Sequence, residues 1–85
     1  MQNGMIVITL CAEDFCRDFA LPAEEPLSKL YPRLLAALQK VSGRVFGEWN
    51  HLVLETNEGA LLDHSATLFD YGICDGYSLN VSRED

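Results

Sequence analysis

Thr67-Leu68-Phe69-Asp70-Tyr71-Gly72-Ile73, followed by Cys74-Asp75-Gly76 and the alternating run Tyr77 to Val81, is the stretch that decides the fold. Thr67 and Asp70 stand three apart, the spacing at which a hydroxyl and a carboxyl cap the first turn of a short helix reciprocally. Leu68 and Ile73 are the apolar plugs of this turn. Tyr71 is large enough to pack while its hydroxyl takes a backbone partner. Asp75-Gly76 supplies the bend into a last strand, Tyr77 to Ser82.

Working outward, the other elements follow from hydrophobic period. Met5 to Ala12 places Ile6, Ile8 and Leu10 at alternate positions, which predicts a strand with an apolar inner face. After the polar break Glu13-Asp14, Phe15 to Leu21 alternates again, with Phe15, Phe19 and Leu21 on one face and Asp18 on the other. Two strands so closely joined predict a hairpin. Pro22 to Pro26 is an acidic connector. From Leu27 the period changes, and Leu27, Leu30, Leu34, Leu38 and Val41 form the stripe of an amphipathic helix with Gly43 as its stop. Pro32 is discordant, because it removes a bond to the Ser28 carbonyl and should kink the first turns unless the helix begins near Tyr31. Val45 to Trp49 reads as irregular. His51 to Thr56 reads as a third strand with Leu52 and Leu54 inward, Asn57-Glu58-Gly59 as a turn, and Ala60 to Leu62 as a short return strand.

The expected order is therefore β-β-α-β-β-turn-β. It gives an α+β fold with a mixed sheet of about five strands and one helix packed across it. The core should join Leu27, Leu30, Leu34 and Leu38 to Ile6, Ile8, Leu52, Leu54, Leu79 and Val81. At 85 residues this is one small domain, 1–85, with free ends expected at 1–4 and 83–85.

Composition narrows the function classes. The net charge of −7 argues against general binding of nucleic acid or anionic membranes. Four of the six bases, Lys29, Arg33, Lys40 and Arg44, fall in a stretch free of acids between Glu25 and Glu48. That gives the molecule a basic side, read either as a helix matched to its own dipole or as a docking face. No apolar run is long enough to span a bilayer, and no signal peptide is recognisable. Three cysteines, Cys11, Cys16 and Cys74, are an odd count that fits a reduced, cytosolic setting better than a disulfide framework. Cys11 and Cys16 can meet across a hairpin, but their spacing fits no common zinc pattern, and core or half-buried thiols are expected. His51 and His64 lack metal-ligand spacing. Asn80-Val81-Ser82 matches a glycosylation sequon inside a predicted strand, a chance match.

No nucleophile with a supporting base, paired carboxylates or metal set is recognisable. Gly43-Arg44-Val45-Phe46-Gly47 lacks the Lys-Ser/Thr of a phosphate loop. No catalytic residue, cofactor or metal is expected, and the chain reads as a non-enzyme.

The Thr67–Ile73 turn, the bend and the final strand resemble the last third of ubiquitin-like domains. The apolar spacing of Leu21 through Leu30 also matches ubiquitin's approach to its helix. The resemblance covers Met5 to Arg83 and implies the β-grasp fold. The chain ends Ser82-Arg83-Glu84-Asp85 and holds no Gly-Gly anywhere, so the conjugation chemistry of ubiquitin-like modifiers is not expected. Leu68, Asp70, Gly72, Ile73, Gly76 and Leu79, with Trp49 before the third strand, more closely resemble the YukD/EsaB proteins of type VII secretion, the system that exports WXG substrates. Leu21-Pro22 and Ile73-Cys74-Asp75-Gly76 also echo the cytosolic domain of EccD, the multi-pass membrane component of such systems. The resemblance implies a cytoplasmic, unconjugated, protein-binding accessory or regulatory component of a secretion machine, or alternatively an EccD-like domain. It implies neither nucleic-acid partners nor membrane insertion.

Partner contact is expected on the sheet face away from the helix, at Trp49, His51 and Val53, with the basic helix side Lys29, Arg33 and Lys40 as the alternative. Trp49 has two readings, an interface anchor or a cap folded back over the core.

Overall fold

The hairpin forms where alternation predicts it. In the computed structural model, which describes residues 4–84, β1 (Met5–Ala12) pairs antiparallel with β2 (Phe15–Pro22) from Met5↔Pro22 to Ala12↔Phe15. The Glu13-Asp14 turn closes it with Glu13 at φ 54°. Ile8, Leu10 and Leu21 are buried on its inner face, with Ile6, Phe15 and Phe19 packed against the core from its margin.

Helix α1 (Leu27–Val41) carries the predicted stripe, and Leu27, Leu30, Leu34 and Leu38 are buried. No side chain caps its start. The N–H groups of Leu27 and Ser28 instead donate to the carbonyls of Ala66 (2.9 Å) and His64 (2.8 Å), so a distant loop satisfies donors that a helix end leaves open. The helix starts at Leu27 and continues through the exposed Pro32. Its last stripe position is a correction: Val41 is 40% exposed. The chain breaks at Ser42 and a second short helix, α2 (Gly43–Phe46), turns Val45 and Phe46 into the core in its place. Gly43 thus opens a helix rather than ending the chain's helical part, and the passage read as irregular is partly helical.

β3 (Leu52–Glu55) pairs antiparallel with β4 (Ser78–Arg83), and β4 pairs parallel with β1, giving the order β2-β1-β4-β3. The sheet has four strands among the described residues, where about five were expected. Ala60 to Leu62 contributes only a single bridge, Glu55↔Leu61. Leu62 still donates its N–H to Leu54 and is buried, so this segment packs without extending the sheet.

The deciding turn is built as its residues predict. The Thr67 N–H donates to Asp70 Oδ2 and the Asp70 N–H to Thr67 Oγ1, both at 3.0 Å, over the 3₁₀ turn Phe69–Tyr71. Leu68 and Ile73 are buried, and the Tyr71 hydroxyl accepts the Asp63 N–H at 2.8 Å. Asp75 Oδ1 accepts the Val7 N–H at 2.7 Å, which locks the bend onto β1. Gly76, at φ 89°, occupies backbone space that favours glycine and donates its own N–H to the Val7 carbonyl.

Two further expectations are corrected. Residues 1–3 and 85 of the expected free ends lie outside the described residues; of the others, the Gly4 carbonyl accepts the Ala23 N–H, Arg83 belongs to β4, and the Glu84 N–H donates to His51. Cys11 and Cys16 are joined in a disulfide rather than standing as thiols, because the hairpin register sets them directly opposite one another with Cα atoms 4.1 Å apart. Cys74 is a free, exposed thiol.

Candidate functional site

Helix α1 lies over the sheet, and a groove runs along each of its flanks. On the β3 side, Tyr31 is the structural pin. Its hydroxyl donates to the Leu62 carbonyl at 2.9 Å and accepts the Leu54 N–H at 3.3 Å. Burial pushes its phenol up to about 12, since the phenolate could not be solvated there. The ring meets His64 edge-on at 5.0 Å, and His64 Nε2 lies 3.3 Å from Glu84. Tyr31, Pro32 and Leu35 of the helix, with His51, Leu52 and His64 opposite, line a groove of about 320 Å³.

The residues expected to meet a partner are distributed unevenly about this groove. His51 is exposed and lines it, on the helix side rather than facing away from the helix. Trp49 is half-buried and does not line the groove. Its ring stands edge-on to Phe46 at 4.9 Å, and Phe46 in turn meets Phe15 at 5.1 Å. The Gln39 amide donates to the carbonyls of both Phe46 (3.0 Å) and Trp49 (3.1 Å), which fixes the loop. Val53 does lie on the face away from the helix, paired with Ser82, but it is only 5% exposed and offers a partner almost no surface. Sequence reasoning missed Tyr31, Leu35 and His64 as groove residues. The first two are four apart on α1, a spacing that could have marked a second apolar row.

On the β2 flank the helix presents its bases. Lys29, Arg33 and Lys40 are exposed. Arg33 Nη1 donates to Glu25 at 2.7 Å, and beyond α1 the Arg44 guanidinium contacts Asp14 at 2.9 and 3.2 Å. That guanidinium holds the Asp14 carboxyl below the usual carboxylate range. Arg33 and Ala37, with Phe19, Leu21, Leu30 and Leu34, line a second groove of about 220 Å³.

Elsewhere, Asp63 accepts the Ser65 N–H and hydroxyl, which lower its carboxyl in a local turn. Among the described residues, no group of three or more His, Cys, Asp or Glu could hold a metal ion. No described helix is long and apolar enough to cross a membrane.

The family model for the WXG100 protein secretion system (Wss), protein YukD, matches residues 5–81. No curated protein matches the chain. Among solved structures, the fold is similar to the ubiquitin-like domain of the Mycobacterium tuberculosis type VII secretion system protein ECCD1 (21% identity, 92% of this chain and 97% of that one, TM-score 0.78). It is also similar to the EccD5 ubiquitin-like domain from Mycobacterium xenopi (21% identity, 95% and 96% covered, TM-score 0.81). A protomer of the ESX-3 core complex contains a similar fold (28% identity, TM-score 0.67). There 95% of this chain corresponds to 16% of the longer one.

Proposed function

The chain belongs to the YukD family of the WXG100 protein secretion system, and from that premise we propose that it works by binding protein components of a type VII secretion machine on its cytoplasmic side. The observation that carries this reading is the extent of the family match, which runs from the first strand into the last and so takes in the whole β-grasp. The domain is a non-enzymatic accessory or regulatory module. It acts without being conjugated, because no Gly-Gly pair for adenylation and transfer occurs in its sequence. Its two grooves beside α1 supply recognition surface, with His51 and His64 on one side and Arg33 on the other.

A second reading, a domain of an EccD-like membrane component, is supported by the structural likeness to isolated EccD ubiquitin-like domains, which the chain covers almost completely. A gene continuing into transmembrane segments would decide for that reading.

The test is affinity capture of the tagged chain from its native bacterium. Type VII components should be retained under non-denaturing washes, and reducing denaturing gels should show no covalent adduct. Retention of none of those components would overturn the binding reading, and a ladder of adducts would overturn the unconjugated one.

A further inference from the structure

The groove on the β2 flank adjoins an open sheet edge, and the two together define a partner. β2 is the terminal strand in the order β2-β1-β4-β3. In an antiparallel pair, directly opposed residues alternate between exchanging both backbone hydrogen bonds and exchanging neither. The Thr9 N–H donates to the Tyr77 carbonyl, and the Val7 carbonyl accepts the Gly76 N–H, so both residues direct their backbone groups toward the last strand. Their partners Asp18 and Ala20, and by alternation Cys16, therefore turn their N–H and C=O groups outward from β2. An edge of this kind is a template for another strand.

The side chains beside the edge state which strand. Alternation sets Phe15, Arg17, Phe19 and Leu21 on the helix side of β2. Phe19 and Leu21 line the apolar end of the groove with Leu30, Leu34 and Ala37. Toward the other end stand Arg17, Lys40, one helical turn beyond Ala37, and Arg44, which reaches Asp14 at the hairpin turn. Arg17 and Lys40 make no ion pair among the described residues. Arg33 lines the groove itself, while Arg17, Lys40 and Arg44 lie beyond its end toward the hairpin turn.

We propose that the β2 edge and the adjoining α1–β2 groove receive an extended peptide segment of a partner protein. Its apolar residues lie over Phe19 and Leu21 and its acidic residues meet Arg17 and Lys40. Main-chain pairing supplies affinity in such strand addition, and the side-chain pockets supply specificity. A second copy of this chain is a poor occupant, because antiparallel pairing of two β2 edges centred on Asp18 would set two Asp18 side chains opposite each other, and a neighbouring register would oppose two Arg17 side chains. This inference deepens the protein-binding reading above and rests on it.

The test uses the full chain, labelled for amide NMR, and two end-blocked octapeptides, Val-Thr-Val-Val followed by four glutamates and the same residues in reverse order. A lysine-for-glutamate peptide is the control. At least one acidic peptide should shift the amides of Cys16, Asp18 and Ala20 and slow their hydrogen exchange, while the lysine peptide leaves them unchanged. Arg17→Glu combined with Lys40→Glu should weaken binding by about tenfold or more. Ala20→Pro, which removes one outward N–H from an edge where proline is tolerated, should do the same. No shift with either acidic peptide at millimolar concentration would overturn the inference. So would shifts centred on His51 and His64, equal binding of the lysine peptide, or dimerisation of the chain through β2. If these variants retain secretion components in affinity capture as well as the wild type does, strand addition fails while the protein-binding function stands. If no component is retained even by the wild type, the function itself fails.

Discussion

Tyr31 ties the helix to the strand segment it covers, and its ionisation is a handle on that tie. Its two hydrogen-bond partners, Leu62 and Leu54, come from opposite sides of the Thr56–Ala60 turn. The phenol is pushed from 10.0 up to about 12, so the fold favours its neutral form. A raised pKa contributes stability that is complete below the unfolded value and lost as pH climbs toward the folded one. Between pH ~10 and ~12, this residue should cost the fold up to about 2–3 kcal/mol. Denaturant titrations across that range should show the loss in the wild type, and Tyr31→Phe should lack this component. At neutral pH the same substitution should cost about 1–3 kcal/mol, since it strips a partner from the buried Leu54 N–H. An equally steep alkaline fall in Tyr31→Phe would assign the effect elsewhere. Trp49 is the companion case. Its edge-on contact with Phe46 and its half-burial predict that Trp49→Ala costs about 2–4 kcal/mol, read from the shift in denaturant midpoint. A change under about 0.5 kcal/mol would mean the ring caps nothing. The sequence marked Trp49 as notable but left its two readings open. It named Tyr31 only as an alternative helix start and missed its hydrogen bonds, because nothing local pairs a tyrosine with a carbonyl 31 residues away.

Elements were legible where a period ran long enough to be counted. β1, β2 and α1 each carry several repeats of their pattern, and the observed bounds, Met5–Ala12, Phe15–Pro22 and Leu27–Val41, follow it closely. The Thr67–Asp70 cap was legible because its chemistry is local. α2 was not, since its four residues hold no period and begin with a glycine that reads as a stop. Its consequence is testable on the stripe it displaces. Leu38 has no exposed surface, whereas Val41 is 40% exposed because Phe46 fills the core beyond it. Leu38→Ala should cost about 2–5 kcal/mol and Val41→Ala under about 1 kcal/mol, although periodicity alone ranks them together. Thermal melts of the two variants would compare them directly, and equal losses would contradict the placement of α2. The hairpin offers a third case. Cys11–Cys16 closes a loop of a few residues, for which chain entropy predicts only about 2 kcal/mol of stabilisation. Reduction should therefore leave β1 and β2 paired through their eight-residue register. Loss of amide protection in β2 on adding reductant would show the disulfide to be holding the strand.

At the scale of the whole molecule, the helix divides two grooves of different character, and salt would tell binding at one from binding at the other. The β3 groove is lined by Tyr31, Pro32, Leu35 and Leu52 with two histidines, and His64 Nε2 lies 3.3 Å from a Glu84 carboxylate oxygen. The β2 groove is lined by Arg33, with Arg17, Lys40 and Arg44 beyond its hairpin end, on a molecule of net charge −7. Exposed charges attract over about a Debye length, ~10 Å at 0.1 M salt and ~3 Å at 1 M, while apolar burial does not weaken with screening. A secretion component held by the β2 groove should therefore bind more weakly as salt rises, and Lys40→Gln should flatten that dependence. One held by the β3 groove should keep its affinity in salt and lose it on His51→Ala. Neither residue lies in the buried core, so both variants should fold, and amide spectra of each can confirm it. The basic side was legible in the sequence as a run without acids. Its meaning was not, because dipole matching and docking predict the same residues and differ only in what adjoins them. The β2 edge lies beside them, and the salt dependence of binding distinguishes the two readings. Salt-independent binding that survives Lys40→Gln and fails with His51→Ala would place the partner on the opposite flank and return the basic row to its role at the helix end.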